Sequence, residues 1–152
     1  MEEEKSFAAF LRGINISGKN KIPMTELKKG FEKLGLEGVK TYLNSGNVVF
    51  SSEELEDILQ HAPDWWDDEN KDIYDNLIFI LPPLTFTDVL REIGEPKEGL
   101  ERVMDYKNAV FWSFVRKDYQ KTNWWSKTAS SGIAGRLTIR TANTVRKIAG
   151  AC

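Results

Sequence analysis

Arg12, Asn15, Lys19 and Asn20 fall within the ten-residue stretch Arg12-Gly13-Ile14-Asn15-Ile16-Ser17-Gly18-Lys19-Asn20-Lys21. A guanidinium grips a carboxylate or phosphate through two parallel hydrogen bonds, and an ammonium adds a point charge. The asparagines supply both a donor and an acceptor. The glycines let backbone N–H groups face an anion where a strand hands over to a helix. A second polar turn, Asn44-Ser45-Gly46-Asn47, offers the same chemistry without the charges. These residues suit a site for a small anionic or polar ligand, held by Arg12, Asn15, Lys19, Asn20, Asn44, Ser45 and Asn47. The competing reading is structural, because Gly and Asn also supply the positive φ of tight turns and close them with their own side chains.

The spacing Gly13-x4-Gly18-Lys19 is that of a phosphate-binding loop, but Asn20 stands where magnesium needs Ser or Thr. Pro23 also starts the following helix too late for such a loop. His61 is the single histidine and Cys152 the single cysteine, so a zinc site or a Cys-His pair cannot be assembled. No serine lies in a G-x-S-x-G elbow. No metal and no cofactor is therefore expected, and no reaction is assigned. The acidic run around Trp65-Trp66 lacks the glycine and ligand order of a calcium loop; it suits a solvated connection whose tryptophans plug a groove.

Net charge is −2, yet its distribution is uneven. Residues 1–50 hold eight Lys/Arg against six Asp/Glu, residues 51–105 four against sixteen, and residues 106–152 nine against one. A basic final third can balance the acidic middle within the fold, or it can meet nucleic acid. In the second case Lys127, Arg140, Asn143, Arg146 and Lys147 would form the basic surface, with Trp124 and Trp125 for stacking. With 41% apolar residues the chain can bury a core. No apolar run approaches the roughly 20 residues of a membrane span, and the acidic start is no secretory signal. A cytoplasmic protein without membrane contact is expected.

Elements must position these groups. Phe7–Leu11 is a short apolar run suited to a strand covered on both faces. Pro23 opens a helix with Met24, Leu27, Phe31 and Leu34 at helical spacing, and strands follow over residues 39–43 and 48–50. Ser51-Ser52-Glu53-Glu54 starts a second helix. Residues 64–75 form an acidic connection, a domain boundary or lid. Strand 77–81, helix 85–93, strands 100–106 and 109–115, a partly helical stretch 117–128, strand 137–140 and a helix capped by Thr141 complete the chain. The order β-α-β-β-α-β from residue 76 is that of a ferredoxin-like plait. The predicted fold is α+β, with two ferredoxin-like halves, the first lacking its closing helix-strand pair. The expected divisions are 1–62, the acidic connection 63–75, and 76–152.

The segments 11–15, 18–20 and 41–50 resemble a bacterial family catalogued as domain of unknown function 1697. Asp64-Trp65-Trp66, Val110-Phe111-Trp112-Ser113, Trp125-Ser126-Lys127 and Thr138-Ile139-Arg140 to Asn143-Thr144 extend the likeness. The resemblance implies paired α/β plaits and brings no activity with it. It also implies a further helix and strand after Phe50 that this sequence lacks, which would leave a sheet edge able to pair with a second copy in a homo-oligomer.

Overall fold

The computed structural model describes residues 8–11, 21–34, 39–42, 47–49 and 53–150. The chain divides into two compact units, Met1–Leu59 with Arg146–Cys152, and Gln60–Val145.

In the first unit, β1 (Ala8–Phe10), α1 (Met24–Lys33), β2 (Lys40–Tyr42) and β3 (Asn47–Val49) follow in the expected β-α-β-β order. The sheet order is β1-β3-β2, antiparallel throughout, with Ala9 and Thr41 both opposite Val48. Pro23 stands one position earlier than expected, as the N-cap of α1, and its carbonyl accepts from Glu26 at 3.0 Å and Leu27 at 3.1 Å. α2 (Glu53–Gln60) follows, with Leu55, Ile58 and Leu59 buried along one stripe.

The second unit holds a four-stranded antiparallel sheet. β4 (Ile73–Ile80), β5 (Glu101–Tyr106), β6 (Ala109–Val115) and β7 (Leu137–Thr141) are arranged β5-β6-β4-β7. β6 lies between two neighbours, and every residue from Ala109 to Phe114 is buried, so its near-continuous apolar run covers both faces. One face carries Ile78, Ile80, Val110, Trp112 and Phe114, which pack with Val89 and Ile93 of α3 (Phe86–Ile93) and Trp124 of α4 (Trp124–Ser130). A 3-10 stretch, Arg116–Lys121, joins β6 to α4.

β4 starts four residues before the expected strand. Ile73, Tyr74 and Asp75 pair with Val115, Phe114 and Ser113, so the last part of the acidic run is sheet. Thr85 closes a capping box with Asp88 ahead of α3. Thr141 accepts from the Thr144 N–H at 3.3 Å and so starts α5 (Ala142–Ala149) as expected. Among the described residues no helix is long and apolar enough to cross a membrane.

Candidate functional site

Phe10, Asn47 and Tyr42 form one row across β1-β3-β2. β1 ends at Phe10, β2 ends at Tyr42 and β3 begins at Asn47. The chain therefore leaves β1 toward residues 12–20, and leaves β2 toward residues 43–46, at the same end of the first sheet. Arg12, Asn15, Lys19, Asn20, Asn44 and Ser45 lie outside the described residues, and Asn47 is described through its backbone alone.

The five residues of the expected basic surface fall into two groups. Lys127 Nζ donates to the Ile93 carbonyl at 3.2 Å. It does so beside Asn123 Nδ2, which donates to Ile93 and Glu95 carbonyls at 3.0 and 2.8 Å, and Trp124 Nε1, which donates to Gly94 at 3.0 Å. These three side chains satisfy the orphan carbonyls at the end of α3. Arg140 Nη1 donates to the neighbouring Ile139 carbonyl at 2.9 Å. Asn143, Arg146 and Lys147 are exposed on α5, the last two in its final turn, where the helix dipole favours cations. The tryptophans separate in the same way. Trp124 is fully buried, whereas Trp125 is 42% exposed and meets Tyr119 and Phe114 edge-on at 4.9 and 5.5 Å.

A third group escaped sequence reasoning. Asp75, Ser113 and Arg102 face one another across β4, β6 and β5, one row on the sheet face opposite α3 and α4. Ser113 Oγ donates a short hydrogen bond to Asp75, and the Asp67 backbone N–H also points at that carboxyl. Burial is the chief reason that Asp75 holds its proton above the ordinary carboxylate range; the Ser113 hydrogen bond opposes the shift, and the Asp68 and Asp67 charges reinforce it. Ser113 and Arg102 line a cleft of about 610 Å³ together with Trp65, Asp68, Asn70 and Glu98. The usable signal is a polar residue inside each of two apolar strands, Asp75 beside Asn76 in Ile73–Ile80 and Ser113 alone in Ala109–Val115. Only the register shows that they meet.

Trp66 fixes the wall of this cleft. It is 3% exposed, its Nε1 donates to the Asn76 carbonyl at 2.8 Å, and its ring meets Phe111 edge-on at 5.1 Å. Asp67 and Glu69 turn the segment with positive φ of 58° and 67°. Among the described residues no group of three or more His, Cys, Asp or Glu is arranged to hold a metal ion.

Comparison with known proteins gives a likeness to one family over the N-terminal third and a likeness in fold. The model of a protein family of unknown function, DUF1697, matches residues 5–54, so the resemblance carried by the N-terminal motifs is borne out. A solved structure, the conserved bacterial protein SP0830 from Streptococcus pneumoniae, is 27% identical, with a TM-score of 0.83 over 96% of this chain and 97% of that one. No curated protein matches.

Proposed function

We propose that this chain, alike to a family of unknown function through its first motifs, binds a small anionic ligand where its first sheet ends. Arg12 clamps the anion, Lys19 adds charge, and Asn15, Asn20, Asn44, Ser45 and Asn47 complete the polar shell. The observation that supports this reading is the row Phe10–Asn47–Tyr42. Two polar segments far apart in sequence start from one end of one sheet, and the first is rich in Gly, Asn and cations.

Inorganic phosphate is the first probe. A ligand at 100 times its Kd raises stability by about 2.7 kcal/mol, so titration should raise Tm, and Arg12→Ala should abolish the rise while leaving the ligand-free Tm unchanged. A flat Tm for phosphate, sulfate and small carboxylates alike would overturn the reading.

The same reading takes both units as ferredoxin-like plaits in a cytoplasmic protein divided at 1–62, 63–75 and 76–152. The β5-β6-β4-β7 order supports a plait in the second unit, and β1-β3-β2 supports a first plait lacking its closing helix-strand pair. Nucleic-acid binding is the second reading. The exposed side chains of Asn143, Arg146 and Lys147 on α5 favour it, and its signature is affinity for a labelled oligonucleotide that falls steeply with salt.

A further inference from the structure

The geometry points to a second binding site, within the unit Gln60–Val145, for a small zwitterion with an apolar body, the chemistry of an apolar amino acid. The cleft of about 610 Å³ is large enough for such a molecule. Trp65, Ile73, Leu100 and Val115 supply apolar wall, which suits an uncharged side chain.

The polar groups divide by sign. Arg102 is exposed at the cleft and makes no ion pair or hydrogen bond among the described residues, so its fork is open to a carboxylate. Directly opposite on β6, Ser113 spends its proton on Asp75. Its oxygen therefore meets the cleft as an acceptor, the partner an ammonium requires. Asp68 and Glu98 line the same space and add negative charge. A ligand carrying only an anion would meet those two carboxylates, and one carrying only a cation would meet Arg102. A molecule bearing both charges satisfies each side.

The test uses the full chain and three probes of nearly one shape: L-phenylalanine, 3-phenylpropionate, which lacks the ammonium, and phenethylamine, which lacks the carboxylate. Isothermal titration should give phenylalanine a Kd at least about tenfold below that of either analogue, the worth of one charge-assisted hydrogen bond. Arg102→Ala should weaken phenylalanine to the level of phenethylamine and leave phenethylamine binding no weaker than before. Ser113→Ala should narrow the preference for phenylalanine over 3-phenylpropionate, with Asp68 and Glu98 holding the remainder. Because Ser113 is buried, the exposed Arg102 variant keeps the test decisive if Ser113→Ala does not fold. Equal affinity for all three probes, binding of none, or full phenylalanine affinity in Arg102→Ala would each overturn the site.

Discussion

The Glu101 carboxylate accepts the Trp112 indole N–H at 3.2 Å across the β5–β6 pair, and Glu101 is only 5% exposed. The backbone N–H groups of Lys97 at 3.0 Å, Asn123, and Trp124 at 3.2 Å also point at it. Four donors converge on one buried acid, which an acceptor-only carboxylate can satisfy in full. Two donors come from the entry to α4 and one from the turn before β5, so this one side chain fixes a helix start against a sheet edge.

Removing it leaves those donors buried and unpaired. Glu101→Gln turns an NH2 group toward at least one donor and should cost about 1–3 kcal/mol; Glu101→Ala orphans all four and should cost more than about 3 kcal/mol. Urea denaturation of the two variants should rank them in that order. A Glu101→Ala protein as stable as the wild type would show that the convergence carries no energy.

Asp75 should make stability fall as pH rises. Its folded-state pKa is raised, chiefly by burial, so between the ordinary carboxylate value and the raised one the native chain holds more protons than the unfolded chain. Stability then declines with increasing pH across that window and is level above it. Asp75→Asn keeps an oxygen for the Ser113 hydroxyl and removes the titration. Plots of Tm against pH should show the variant gaining on the wild type as pH rises through the window, and parallel curves would contradict this assignment.

Some of this architecture is legible in the sequence because local chemistry decides it. Thr85-x-x-Asp88 announces a capping box, and Ala109–Val115 shows an apolar run with turn residues before it. Ile73-Tyr74-Asp75 does not announce a strand, because an acid at the end of an acidic run resembles solvated loop until Ser113 is placed opposite it. Glu101 is equally opaque, since its partners lie at positions 97, 112, 123 and 124, and the β5–β6 pairing together with the packing of α4 brings them to one point. Composition groups Lys127 with a basic surface, whereas its bond to Ile93 depends on α4 lying against the end of α3. The cleft joins residues 65–73 to 98–102 and 113–115, a set that no periodicity links.

The end of α3 should be the most sensitive small feature of the second unit. Gly94 has φ of 94°, and a Cβ there would stand 3.2 Å from Asn123 Nδ2. Gly94→Ala therefore combines left-handed strain with a crowded donor and should cost more than about 1 kcal/mol. Asn123→Ala withdraws donors from the Ile93 and Glu95 carbonyls and should cost about 1–2 kcal/mol. Lys127→Ala should cost less, because its exposed chain is replaced by water. Thermal melts of the three variants should place Lys127→Ala nearest the wild type.

Trp65 and Trp66 are adjacent, and substitution should separate them cleanly. Trp66 is buried, edge-on to Phe111, and donates to the Asn76 carbonyl. Trp66→Phe keeps a ring there and loses the donor, for about 1 kcal/mol, whereas Trp66→Ala opens a cavity at about 3–5 kcal/mol. Trp65 is half-buried on the cleft wall and has no hydrogen bond among the described residues. Trp65→Ala should therefore cost under about 1.5 kcal/mol in stability and weaken phenylalanine binding at the cleft by about tenfold. Paired urea melts and titrations would read the two effects side by side. A Trp65→Ala protein that loses stability as Trp66→Ala does would mean that this ring holds the segment in place, and the cleft wall would need to be assigned to another residue.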